Sequence, residues 1–190
     1  MFTLNYPIED KIEINGKSYA VNMSFDNVMR FFDMTNDDEL SDADKVEIGV
    51  KMFLGASFSC PFEDLEAIYN HFCTSLFLPK ESNIQLDRLG NPMPTKGEEE
   101  EEIVLCLKHD VEAVYASFIQ AYNIDLIEQQ GKLHWLKFKA LLDGLPEDTA
   151  LMRIIDIRTR DLPSGKGSEK ARQELMKLKK QYALPNSREE

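Results

Sequence analysis

The sequence predicts a mainly α-helical protein: a helical bundle-like domain with a small N-terminal β-hairpin and a hinged C-terminal helix. Three observations favour this class. Apolar residues recur at three- and four-residue spacing over most of the 190 residues, which is the period of an amphipathic helix. An Asn-Gly pair lies between two short alternating runs near the N-terminus. A stretch of serine and glycine precedes a final basic helical pattern.

The length favours one main domain with a tail. We place a mainly helical domain with its hairpin at residues 1–163, and a flexible hinge with a basic C-terminal helix at 164–190. Within the first domain, proline and glycine punctuate residues 79–102, which end in five consecutive glutamates, Glu98–Glu102. This segment is interpreted as a linker loop, with a functional acidic patch as the alternative.

The first elements follow from turn and capping residues. Asn15-Gly16 predicts a hairpin, which must pack on helices or join a larger sheet because a lone hairpin is marginal in water. Ser24 is expected to cap one helix, and Ser41 to start a second that ends at Gly55. Pro61 opens a third. The apolar residues assigned to these helices are Val28, Phe31, Phe32, Val46, Val50, Phe53, Leu54, Leu65, Ile68, Phe72 and Leu76.

The second half of the chain predicts four more helices. The strongest apolar stripe comprises Ile103, Leu107, Val111, Val114, Phe118 and Tyr122. After a break at Gly131, residues 133–142 are so rich in apolar groups that they should be central. Another helix is expected from Pro146 to a point before Pro163, and a short amphipathic basic helix over 168–182. That last helix is either docked on its own core or an arm for a partner.

Charge separates the two parts of the chain. The net charge is -12, but residues 1–150 hold 12 basic and 28 acidic residues (net -16), whereas 151–190 hold 10 and 6 (net +4). An acidic body repels nucleic acid, whose binding needs Lys and Arg. No apolar run approaches the roughly 20 residues of a membrane span, and no secretory signal is recognisable, so a soluble cytosolic protein is expected.

No enzyme motif is recognisable, and we expect no catalytic residue, cofactor or metal. Gly165-Lys166 lacks the upstream glycine of a phosphate-binding loop. The three histidines fall within helical patterns without a nucleophile elbow. A metal site would draw on His71, Cys73, Cys106 and His109, but two positions apart on a helix His71 and Cys73 face different sides. The odd number of cysteines fits reduced thiols.

Several segments resemble one family of phage proteins. These are LKHD at 107–110, YASF at 115–118, QAYNIDL at 120–126, QGKLHWLKFKALL at 130–142, GL at 144–145 and IRTR at 157–160. They are similar to the bacteriophage "gene product fifteen" family of long-tailed phages that infect Gram-positive hosts. The resemblance is clearest over 103–163, extends to 1–78, and is weak in the linker and tail.

The resemblance implies a tail assembly chaperone that binds and solubilises the tape-measure protein and helps recruit tail-tube subunits. The implied partners are the tape-measure protein, the major tail-tube protein and other copies of the chain or a paired chaperone, with no nucleic acid or membrane. The chain would work in the host cytoplasm and be absent from the mature virion. The alternative is a structural tail or tail-completion component.

The protein-binding residues are inferred from charge rather than carried over from the family. The candidates are Arg158, Arg160, Lys177, Lys179, Lys180, Glu98, Glu99 and Glu100. Lysines of the basic tail are expected to meet an acidic surface of a neighbouring copy, since opposite charges favour head-to-tail contacts between copies.

Overall fold

A computed structural model describes residues 4–8, 10–77, 104–165 and 167–185. Over these ranges the chain is mainly helical, with one two-stranded antiparallel hairpin, as predicted. The elements in chain order are β1 Lys11–Ile14, β2 Lys17–Ala20, α1 Phe25–Thr35, α2 Asp42–Leu54, α3 Phe62–Phe77, α4 Val111–Tyr122, α5 Trp135–Asp143, α6 Ala150–Thr159 and α7 Glu169–Gln181. No helix within these ranges is long and apolar enough to cross a membrane.

The chain divides into two compact units. Unit 1 comprises Met1–Glu99 and Gln130–Phe138, and unit 2 comprises Glu100–Gln129 and Lys139–Glu190. The division therefore passes through α5, between Phe138 and Lys139. The linker predicted at 79–102 lies outside the described residues.

The hairpin of unit 1 turns where the sequence predicts. Asn15 and Gly16 have φ values of 50° and 74°, as a tight hairpin turn requires. The strands pair Ile12 with Tyr19. The Tyr19 ring meets the buried ring of Phe58 edge-on, with centroids 5.2 Å apart. The hairpin is thus stabilised by packing on the helical part of unit 1, because two strands alone bury too little apolar surface.

Aromatic side chains from three helices form the core of unit 1. The Phe53 ring of α2 lies 5.0 Å from Phe31 of α1 and 4.5 Å from Phe72 of α3. Phe31 and Phe53 are almost completely buried. Ser41 caps α2 by accepting a hydrogen bond from the Asp44 N–H, and α2 ends before Gly55, whose φ is 94°, so both predicted boundaries are confirmed.

Glycine at position 49 of α2 is needed for this core. A Cβ there would lie 2.8 Å from the Tyr69 ring and 2.9 Å from the Phe31 ring. In a helix interior, alanine is usually more stable than glycine by about 0.5–1 kcal/mol. We expect Gly49→Ala to lower the free energy of unfolding instead, because overpacking costs about 1–3 kcal/mol.

Urea denaturation followed by the fluorescence of Trp135, the single tryptophan, measures this effect. Shortening the facing ring by Tyr69→Leu should recover part of the loss in the double variant. A stabilised Gly49→Ala protein would show that the ring contacts are not rigid.

A short β-bridge explains why residues 130–138 belong to unit 1. Ser24 and His134 pair antiparallel: the Phe25 N–H donates to the Leu133 carbonyl, and the Trp135 N–H donates to the Met23 carbonyl. Ser24 occupies the N-cap position of α1, as predicted, but its hydroxyl donates to the Asn22 side chain and makes no capping bond to the helix. One predicted boundary is wrong. The central helix starts at Trp135 rather than 133 because the bridge holds the preceding backbone extended.

In unit 2, a buried serine joins two helices. The Ser117 hydroxyl of α4 donates to the Ala113 carbonyl (2.7 Å) and accepts from the Leu151 N–H of α6 (2.9 Å). Ser117, Phe118 and Leu151 have at most 1% of their surface exposed. The helix predicted from Pro146 begins only at Ala150, because the Thr149 hydroxyl and N–H both donate to the Pro146 carbonyl and close a turn.

The predicted apolar stripe starts too early in the sequence. Residues 104–110 are not helical and α4 begins at Val111, while Ile103 lies outside the described ranges. The Asp110 N–H donates to the Cys106 carbonyl, and its carboxylate accepts the Cys106 N–H. This local ring replaces the first helical turns. Val111, assigned to the core, is consequently 51% exposed.

Candidate functional site

An acidic surface extends over residues 33–47 of unit 1. Seven of these residues are acidic: Asp33, Asp37, Asp38, Glu39, Asp42, Asp44 and Glu47. All seven side chains are exposed. Lys45, the one basic residue of the segment, donates to the Thr35 carbonyl at 3.0 Å. The negative charge of this surface is therefore only weakly compensated within the segment.

The basic helix α7 of unit 2 has one buried face and one exposed face. Leu175 is 7% exposed and faces the unit. The opposite face carries Lys170, Gln173, Lys177 and Lys180 at spacings of three, four and three, and all four are exposed. Residues three and four apart share one side of a helix. The outward face of α7 is therefore a lysine stripe, defined here as Lys170, Lys177 and Lys180.

A buried ion pair lies where the end of α7 packs against the rest of unit 2. Arg158 of α6 binds both carboxylate oxygens of Asp110 at 2.7 Å. Its remaining hydrogen bonds go to the carbonyls of Val104 (2.9 Å) and Tyr182 (2.6 Å). In return, the Lys179 ammonium donates to the Arg158 carbonyl at 2.9 Å. The side chains of Arg158 and Asp110 are 9% and 3% exposed.

The electrostatics of Asp110 follow from this geometry. Burial by itself raises the pKa of a carboxyl group. The hydrogen bonds from the Arg158 guanidinium and the Cys106 amide outweigh burial, so the pKa of Asp110 lies below its ordinary value. Asp110 is therefore an anion at neutral pH. Its role is missed from sequence, although an aspartate directly before a helix is a recognisable boundary signal.

The predicted binding residues lie in different environments. Lys177 and Lys180 are exposed, whereas Arg158 and Lys179 make the intrachain bonds described above. Arg160 is exposed and pairs with Asp156 one turn earlier in α6. Glu98, Glu99 and Glu100 lie outside the described residues. The structure therefore brings Arg158 and Lys179 together, and leaves Lys177 and Lys180 available to a partner.

A cleft of about 390 Å³ in unit 1 has a histidine and an aspartate in its lining. His134 Nε2 lies 3.0 Å from Asp10 Oδ1, and His134 Nδ1 accepts the Leu136 N–H at 3.0 Å. A general base needs a ring nitrogen that can take a proton from the nucleophile. Since both nitrogens already have partners and the Ser24 hydroxyl donates to Asn22, this arrangement is not a hydrolytic triad.

The potential metal ligands do not converge. Over the ranges that the structure describes, no group of three or more His, Cys, Asp or Glu side chains could hold a metal ion. Burial raises the pKa of Cys73. A raised pKa keeps a thiol protonated and less nucleophilic.

Exposed apolar side chains are a further feature of unit 2. Val111 and Ile119 of α4 are 51% and 39% exposed, and Ile127 in the following turn is 65% exposed. The turn is held against α4 by the Tyr115 hydroxyl, which donates to Asp125 at 3.2 Å. These three apolar residues are called the α4 apolar surface. Exposed apolar residues mark a contact for a partner when they adjoin one another.

Comparison with known proteins identifies the family of the chain. No curated protein and no solved structure is significantly similar to the chain. The family model described as Bacteriophage Gp15 protein matches residues 4–184. This range includes the acidic surface 33–47, the lysine stripe, the α4 apolar surface and the buried ion pair. Such proteins are of the phage structural or head–tail joining type. The chain therefore belongs to the bacteriophage Gp15 protein family.

Proposed function

We propose that the chain is a tail assembly chaperone that binds and solubilises the tape-measure protein and helps recruit tail-tube subunits. The acidic surface 33–47 carries the proposal, because seven exposed carboxylates in fifteen residues add charge to any complex. Charge of one sign suppresses association between complexes. In this role the protein binds and releases other proteins in the host cytoplasm, catalyses no reaction, and leaves before the virion is mature.

The α4 apolar surface is the proposed contact for the client. A tape-measure protein is expected to be a long helical chain with apolar seams, as the resemblance to phage tail proteins implies. An apolar seam binds best to a complementary apolar face, as in helix-in-groove recognition. Val111 and Ile127, with about half or more of their surface exposed, are the residues of unit 2 that we propose as part of such a face.

Co-expression tests this role directly. Expression of the tape-measure protein with the wild-type chain should raise its soluble fraction several-fold and allow the two to co-purify. The Val111→Gln/Ile127→Gln variant should lose most of this gain because its contact surface is polar. Ile48→Gln is the matched control, since Ile48 is 38% exposed on unit 1 and lies outside the proposed contact. An insoluble client in the presence of the wild-type chain would refute the proposal.

A structural tail or tail-completion component is the second candidate. It is favoured by the family, whose members are of the phage structural or head–tail joining type. Mass spectrometry of purified virions distinguishes the two roles. A component should be present at fixed stoichiometry, whereas a chaperone should be absent from mature particles although abundant in the infected cell.

A further inference from the structure

We propose that the lysine stripe of α7 docks on the acidic surface 33–47 of a second copy of this chain, so that copies associate head to tail. This contact would let copies of the proposed chaperone assemble with one another, so its biological role rests on the proposed function. The contact itself involves only copies of this chain.

The exposed face of α7 carries unpaired positive charge in the part of the chain that the structure describes. Lys170 and Lys180 are ten residues apart, which corresponds to about 15 Å along a helix. Within the described ranges, Lys170, Lys177 and Lys180 are not among the residues that make intrachain ion pairs. The two acidic residues of α7, Glu169 and Glu174, lie beside the stripe and not within it. The stripe therefore presents three positive charges and no negative charge.

Contacts with the rest of unit 2 hold α7 with its lysine stripe facing outward. Leu175 is buried, the Tyr182 carbonyl accepts from Arg158, and the Lys179 ammonium donates to the Arg158 carbonyl. These contacts fix which side of α7 faces unit 2. The helix can therefore present its stripe to a partner without detaching and without exposing Leu175.

Charge identifies the partner. The acidic surface is the complement of the stripe: seven carboxylates and one lysine give residues 33–47 a net charge of -6. Membranes and nucleic acids, which also bind lysine stripes, would be repelled by the net charge of -12. A second copy provides the complementary charge, and since the two patches differ, the contact is heterologous and repeats from copy to copy.

The contact is expected to be weak and salt-sensitive. Exposed ion pairs contribute little individually, and added salt screens them. Light scattering of the full chain should report particles larger than a monomer at about 0.1 M salt and a monomer at about 1 M, where the Debye length falls from about 10 Å to about 3 Å. A monomer at low salt, even at high protein concentration, would overturn the proposal.

Two charge-reversed variants determine which surfaces meet. In one, Asp38→Lys/Glu39→Lys makes part of the acidic surface basic. In the other, Lys177→Glu/Lys180→Glu makes the stripe acidic. All four side chains are exposed, so circular dichroism should show native folds. Each variant alone should associate much more weakly at low salt, because one of its two surfaces is damaged. The acidic surface of the first variant keeps five carboxylates against three lysines, so its net charge changes from -6 to -2. The stripe of the second variant holds Lys170 and two glutamates, so its net charge changes from +3 to -1.

An equimolar mixture of the two variants should recover the association lost by each. The unchanged lysine stripe of the first variant then meets the unchanged acidic surface of the second, so the mixture should form dimers. A contact within a single chain predicts no recovery on mixing, so a mixture that stays monomeric would overturn the inference. Glu147→Lys/Asp148→Lys reverses exposed charges of unit 2 outside both surfaces and should leave wild-type association unchanged. Because the tape-measure protein is absent, failure here leaves the co-expression test of the chaperone role intact.

Discussion

Replacing Arg158 by methionine should lower the free energy of unfolding by about 3–5 kcal/mol, the range for breaking a buried ion pair. Asp110 would remain 3% exposed without its cation. The carbonyls of Val104 and Tyr182 would also lose their donor. The loss is large because a buried charge without a partner retains its desolvation penalty but no compensating attraction.

Urea denaturation followed by circular dichroism measures the loss, and hydrogen exchange locates it in α6 and α7. Arg160→Met is the matched control. Arg160 directly follows α6 and pairs with Asp156 of that helix, but both side chains are at least half exposed, and such pairs contribute about 0–1 kcal/mol. Adding Asp110→Leu to Arg158→Met should cost less than the sum of the two single losses. If Arg158→Met and Arg160→Met lowered the free energy of unfolding by the same amount, burial would not be the reason for the contribution of the Arg158–Asp110 pair.

The Arg158–Asp110 ion pair also determines how the stability lost in Arg158→Met depends on pH. The pKa of Asp110 is lowered in the folded state, so the pair stabilises the protein above the ordinary carboxyl pKa of about 4 and loses this contribution as the pH falls further. In Arg158→Met, only the Cys106 amide bond still favours the carboxylate of Asp110, so burial favours the protonated form more strongly than in the wild type. The difference in stability between wild type and variant should therefore narrow below about pH 4.

Most elements were predictable because their causes are local. The Asn15-Gly16 turn depends on two residues that tolerate positive φ, and the Ser41 cap depends on a donor three residues away. Helices α2 and α7 follow from apolar spacing over four turns or fewer. For such elements, the residues that determine the structure are neighbours in sequence.

Two of the wrong boundaries depend on distant residues. Helix α4 starts late because the Asp110 carboxylate, which accepts the Cys106 N–H, is also bound by Arg158, 48 residues further along the chain. Helix α5 starts late because the backbone around His134 pairs with Ser24. Hydrophobic periodicity in a single sequence contains no information on such partners.

The candidate site was predictable in part for the same reason. Lys177 and Lys180 were recognisable because α7 is a regular amphipathic helix, and its spacing separates exposed from buried positions. The sequence indicates Arg158 only by its charge. Its burial depends on tertiary contacts, which no motif indicates.

Phe53→Ala is expected to destabilise unit 1 by about 3–5 kcal/mol, as truncation of a buried aromatic residue does. Phe53 is 1% exposed, and its ring touches Phe31 of α1 and Phe72 of α3. The cavity would open between three helices whose rings already face one another. Protein interiors are closely packed, and the neighbours can fill the space only by moving whole helices.

Trp135 fluorescence during urea denaturation measures this effect, since Trp135 is buried in unit 1. Phe62→Ala removes the same atoms from a residue that is 51% exposed on α3, and should change stability by a small fraction of that amount.

Helices α1 and α2 also flank the acidic surface 33–47. If Phe53 fixes their separation, then Phe53→Ala should weaken the association of copies at low salt before unit 1 unfolds completely, whereas Phe62→Ala should leave association intact. Equal stability of the two variants would show that the core of unit 1 is not centred on Phe53.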